Sequence, residues 1–249
     1  MTDDKPIIHD DNHARALLLS LMREARQKFD DGLLKFESKP LPKKWNQKAY
    51  LAACEEHRRL LGDSLIIEAI WAHGRTKRKK TFFISLGGVD LTDEDFSKIK
   101  KSKLYPVTST LLDSKFNSQT GDSSTLCYLS EHALVKMIRR SACHSMKDLA
   151  GLIRRYLVSL LTAFSSLEGT DDFNALTGES YMPCTFDEEG VPVVKSWISR
   201  GSWTPPKEAQ LTVASDHLQK VGKIALIPVD VFSSSAFIDI GTLEKYIIA

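Results

Sequence analysis

The strongest periodic run in the chain is Leu149, Leu152, Ile153, Tyr156, Leu157, Leu160, Leu161 and Phe164. Steps of three and four residues place these side chains on one face of a helix. Ser145 with Asp148 three residues on predicts a capping-box start for it, and Gly169 stands where it would end. A shorter helix precedes it. Ser130 is its predicted N-cap, Glu131 suits its positive end, and Leu134, Val135 and Ile138 form its apolar side. Ala142, Cys143 and His144 predict the break between the two.

Two more helices are predicted near the N-terminus. Asp10, Asp11 and Asn12 can cap a stripe of Ala14, Leu17, Leu18, Leu21, Met22, Ala25, Phe29 and Leu33, which Lys39-Pro40-Leu41-Pro42 breaks. Asn46 starts the second, carrying Tyr50, Leu51, Cys54, His57, Leu60 and Leu61, with Gly62 as its stop. Branched and aromatic residues at Leu65–Ala72 and Thr81–Leu86 predict a β-hairpin with a basic tip, His73–Lys80. Thr92 with Asp95 predicts a short helix to about Lys101. Pro106–Leu112 reads as a strand or an extended connector, and the polar Asp113–Thr125 as a loop.

Beyond Gly169 the pattern turns to strands at Tyr181–Phe186, Val191–Ser199, Ala209–Ala214 and Lys223–Val231. Asp187-Glu188-Glu189-Gly190 is a predicted hairpin turn and Trp203-Thr204-Pro205-Pro206 a loop. Phe237–Ile248 fits either strand or helix. The expected class is α+β: an N-terminal helical pair and a central helical pair packed on a mainly antiparallel sheet. The expected division is 1–112 with the N-terminal helices and basic hairpin, a polar loop at 113–125, and 126–249 with the central helices and C-terminal strands; one domain overall is the alternative.

Composition adds little to that picture. Over 249 residues the formal net charge is +2, so a nucleic-acid partner must be argued from local clusters. The four cysteines, Cys54, Cys127, Cys143 and Cys184, form no C-x-x-C pair and read as reduced, buried thiols. The N-terminus has no apolar secretory region and no run reaches membrane-spanning length, so a cytoplasmic location away from membranes is expected. Cys54-x-x-His57 has ligand spacing but lies within an apolar stripe, so core packing is its better account. No phosphate-binding glycine loop is present, and neither a metal nor another cofactor is implied.

Candidate chemistry gathers on the shorter central helix. His132, Lys136, Arg139 and Arg140 stand at i, i+4, i+7 and i+8, a cationic side opposite the apolar one. The segment Leu129-Ser130-Glu131-His132-Ala133-Leu134, with Met137 and Arg140, resembles the opening helix of the small ribonuclease toxins, the broad barnase, EndoU, colicin and RelE-type group. The resemblance covers Tyr128–Thr204, about a third of the chain. It implies metal-independent RNA cleavage by attack of a 2′-hydroxyl on the adjacent phosphate. His132 would be the base, Arg139 or Arg140 would stabilise the phosphorane, and Ser196 would supply a hydroxyl, with Ser199, Arg200 and Thr204 nearby. Lys136 stands where the group often has arginine, and the spacer between helix and hairpin is long. Arg75, Lys77, Arg78, Lys79 and Lys80 in the hairpin tip are candidate phosphate contacts, with Lys136 beside the helix site. The alternative expectation is a non-catalytic accessory or regulatory factor of a mobile element or defence system, gripping nucleic acid or a protein partner.

Overall fold

The computed structural model describes residue 8 and residues 10–37, 46–73, 78–87, 102–113, 122–164 and 172–248. It is an α+β protein. Helix α1 spans Asp11–Glu37 and α2 spans Gln47–Leu61. Their caps are the expected polar residues: Asp10 Oδ1 accepts from the His13 N–H at 2.8 Å, and Asn46 Oδ1 from the Ala49 N–H at 3.0 Å. Gly62 ends α2 at φ 50°, in the half of backbone space that favours glycine. Strands β1 (Leu65–His73) and β2 (Arg78–Leu86) form the expected hairpin, in register from Ile67↔Ile84 to His73↔Arg78. Its tip residues Arg75 and Lys77 lie outside the described residues, as do the Pro40–Pro42 break, Gly169 and the predicted helix from Thr92.

Strand β3 is Leu104–Asp113 and β4 is Asp122–Ser130. Part of the stretch read as a polar loop is therefore paired, with Thr110↔Ser123 and Thr108↔Thr125. Ser130 ends β4 and caps α3, Glu131–Arg140. Helix α4 is Met146–Phe164, opened by reciprocal 3.1 Å bonds between Ser145 and Asp148.

The C-terminal region corrects several expectations. A strand not anticipated, β5 at Phe173–Leu176, pairs with β6, Ser180–Phe186. The stretch expected to be one strand at Val191–Ser199 is two short ones, β7 (Pro192–Val194) and β8 (Ile198–Ser199). Ala209–Ala214 is not a strand but the interior of α5, Pro205–Val221. Pro205 and Pro206 hold its first two positions, where proline's missing N–H removes no helical bond. Strand β9 is Ile224–Pro228, and Val229–Ser234 continues as helix α6. The ambiguous tail contains both forms, helix α7 (Ile240–Glu244) and strand β10 (Ile247–Ile248).

Among the described residues, ten strands make one sheet in the order β1-β2-β3-β4-β7-β6-β5-β9-β10, with β8 beside β6. Every pairing is antiparallel except β4 with β7, which joins the two halves of the chain. Helices α1, α3 and α4 cover one apolar core with Leu86, Val107, Leu129, Met182 and Leu226. Alternation along β9 splits its side chains. Ile224 and Leu226 join that core, whereas Ala225 and Ile227 join a second one under α5, α6 and α7. A third cluster packs α2 on the first hairpins through Tyr50, Cys54, Leu61, Phe83 and Leu112. Cys54 is buried and His57 meets the Phe83 ring edge-on at 4.8 Å, so this pair packs as expected.

Candidate functional site

The α3 residues do not share one open face. Lys136 Nζ lies 2.5 Å and Arg139 Nη1 2.9 Å from the two oxygens of Asp11, at the start of α1. Arg15 on the next turn of α1 pairs with Glu131 at 2.8 Å. The Asp11 carboxyl is held below the ordinary range, first by the hydrogen bond from Lys136. This cationic row is therefore a seam that fastens α1 to α3. Arg140 turns elsewhere: its Nη1 donates to the Trp197 carbonyl at 3.0 Å. His132 is exposed, and Ser196 is half-buried. Neither lines the cleft that Arg140 helps to form. That cleft therefore does not bring His132 together with the Arg140 guanidinium and the Ser196 hydroxyl.

That cleft has a volume of about 750 Å³ and lies among α3, α4, the β5–β6 turn, the β7–β8 segment and α5. Such a volume is in the range that holds a small ligand or a short piece of a longer one. Four cationic side chains line it, Arg140, Lys147, Arg155 and Arg200, against two carboxylates, Asp148 and Glu179. Burial, then repulsion from Arg139, lowers the pKa of Arg140, although a guanidinium stays charged at any physiological pH. Arg200 reaches Asp216 on α5 at 2.6 Å, with its guanidinium 5.8 Å from the centre of the Trp203 ring. Lys147 and Arg155 are exposed on α4 and have no ion pair among the described residues. Asp148 is occupied with the cap: its Oδ2 accepts the His144 and Ser145 N–H groups at 3.1 Å.

The walls are fixed by hydrogen bonds. Ser130 Oγ accepts from the Ala133 N–H at 3.0 Å and donates to the Lys195 carbonyl at 2.6 Å, which ties the start of α3 to the β7–β8 segment. The α3–α4 turn carries Ala142 at φ 47°, a left-handed conformation that costs a non-glycine residue about 1 kcal/mol. On the opposite wall the Arg200 N–H donates to the Glu179 carbonyl at 2.8 Å. Ser215 Oγ on α5 donates to the Thr177 carbonyl at 2.8 Å. A Cβ on Gly178 would come 2.6 Å from Gln219 Cβ and 2.9 Å from its Cα, so α5 sits directly against this turn.

The Tyr156 hydroxyl donates to Glu179 Oε2 at 3.0 Å. Burial, then the bond to Glu179, pushes the Tyr156 pKa up to about 12, so it is a proton donor at neutral pH. Trp197 also lines the cleft, and its buried indole N–H has no hydrogen-bond partner. Among the described residues no group of His, Cys, Asp and Glu side chains is arranged to hold a metal. No described helix is long and apolar enough to cross a membrane.

Arg140 and Arg200 stand out in the sequence, but beside His132 rather than in this cleft. Tyr156 read only as part of the apolar stripe, and Lys147, Glu179 and Gly178 went unremarked, because nothing in their local patterns distinguishes them from helix surface and turn. In the hairpin, Lys79 and Lys80 are half-buried along β2 rather than free at a tip. No protein-family model matches the chain, and neither curated proteins nor solved structures give a match. The class that fold and site define is thus an α+β protein with one sheet, ten-stranded among the described residues, and a cationic cleft among α3, α4 and α5.

Proposed function

We propose that the protein binds nucleic acid through this cleft and serves as a non-catalytic accessory or regulatory factor. The supporting observation is the pair Lys147 and Arg155, exposed on the cleft wall and without an ion pair among the described residues, beside the fixed guanidiniums of Arg140 and Arg200. Exposed cations that form no ion pair on the wall of a concave site attract phosphates and release counterions on binding. Four buried cysteines, none of them in a disulfide, support a reducing, cytoplasmic setting for this role.

The test is fluorescence anisotropy of labelled RNA and DNA oligonucleotides across salt concentrations. Affinity should fall steeply with salt and be lost in the double variant Lys147→Glu/Arg155→Glu, with Lys79→Glu/Lys80→Glu as a comparison outside the cleft. Retained affinity in the cleft variant removes the proposal. A second reading, metal-independent RNA cleavage, keeps one specific support. The Tyr156–Glu179 hydrogen bond puts a proton donor and a proton acceptor in the same cleft as Arg140. Appearance of 2′,3′-cyclic phosphate ends that is abolished by Glu179→Gln would turn the binding protein into an enzyme. In neither reading does His132 touch the ligand.

A further inference from the structure

Helix α4 holds a glycine that its packing does not explain. Gly151 lies in the helix interior, where glycine weakens a helix relative to alanine. It has no left-handed backbone angle to require it. No neighbour comes close enough to forbid a side chain: a Cβ built there meets nothing within 4 Å. The position is exposed and lines the cleft. It stands four residues after Lys147 and four before Arg155, so the three share one stripe of α4. Lys147 and Arg155 are thus separated by about 12 Å along the axis, with bare backbone midway.

We propose that a single-stranded nucleic acid runs along this stripe. Its phosphates sit at Lys147 and Arg155, and its sugar–phosphate backbone crosses α4 at Gly151, where only a hydrogen atom intervenes. This inference rests on the cleft reading above and specifies its ligand. About 12 Å matches three to four nucleotides at the ~3.4 Å per-nucleotide rise of a stacked strand. A double helix presents its phosphates on a convex cylinder and does not enter a cleft of about 750 Å³. The aromatic side chains lining the cleft, Tyr156 and Trp197, are buried and offer no stacking platform, so the strand is held by its phosphates with little regard to base sequence.

The experiment compares the wild-type full chain with Gly151→Ala and Gly151→Leu. Binding of a labelled single-stranded 12-mer, as RNA and as DNA, is measured by anisotropy, and thermal unfolding is followed in parallel. Both variants should unfold at a temperature at least as high as wild type, by about 2 °C for alanine. Both should bind the single strand several-fold more weakly, leucine more than alanine. Single substitutions Lys147→Ala and Arg155→Ala should each reduce the salt slope by about 0.7, the value for one phosphate on a single strand. Unchanged affinity in Gly151→Leu overturns the strand path while leaving the cleft reading intact if Lys147→Glu/Arg155→Glu still abolishes binding. Equal affinity for a duplex of the same sequence, or displacement by micromolar inorganic phosphate, also overturns it. A 2′-hydroxyl preference shows as tighter RNA than DNA binding, and equal affinities identify the shared phosphodiester backbone as the whole ligand; either result supports the path.

Discussion

Two cationic regions sit on consecutive helices and have opposite fates. On α3, Lys136 and Arg139 converge on Asp11, and Arg15 answers with Glu131, so positive charge there is structural cement between helices. On α4, Lys147 and Arg155 point to a cleft with no carboxylate folded against them among the described residues. The residue types are the same. What differs is whether a distant segment, the start of α1, brings a counter-charge. The lesson is that a row of cations is a candidate site only after the rest of the fold has declined to neutralise it.

The contrast can be broken most severely through the ligand. Reversing charge at Lys147 and Arg155 together should weaken oligonucleotide binding by about a hundredfold or more, on the order of 1.4 kcal/mol per contact. The next largest effect is on stability. Gly178→Ala drives a methyl into the Gln219 backbone and should destabilise the protein by about 1–3 kcal/mol, read as a lower thermal midpoint. Asp11→Asn removes the counter-charge from the α1–α3 seam. Its carboxyl is partly exposed, so the loss should be only about 0.5–1 kcal/mol, with oligonucleotide affinity unchanged. Because the Asp11 pKa is lowered on folding, its contribution is present above the unfolded value of about 3.9 and disappears as pH falls below that range. An acid titration of wild type against Asp11→Asn should therefore converge at low pH. His132→Ala should be the smallest, moving neither the midpoint nor the affinity. A large loss of binding there would return the ribonuclease-toxin assignment to the centre.

Much of the local architecture was legible in residues close in sequence. Ser130, Asn46 and the Ser145–Asp148 pair announced three helix starts, and each makes the expected bond. The Leu149–Phe164 stripe announced the helix whose apolar face forms the main core. The misreadings share a cause. Trp203-Thr204-Pro205-Pro206 reads as a loop, yet its two prolines open α5, and the apolar spacing of Leu211, Ala214 and Leu218 fits the buried face of that helix rather than the strand expected at Ala209–Ala214. Gly151 was visible too, as a lone glycine in the strongest helical pattern, but its meaning depends on there being open space above it.

The chain by itself therefore determined the first four helices, their caps, the first hairpin and the α+β class, because those depend on periodicity and on hydrogen bonds spanning three or four residues. Only the tertiary structure decided that β4 meets β7 in parallel, that Asp11 neutralises Lys136 and Arg139, and that Arg140, Arg155 and Arg200 share a cleft. Those are contacts between residues up to about 130 positions apart, and electrostatic character is set by the partner each charge finds rather than by the neighbours it has in sequence.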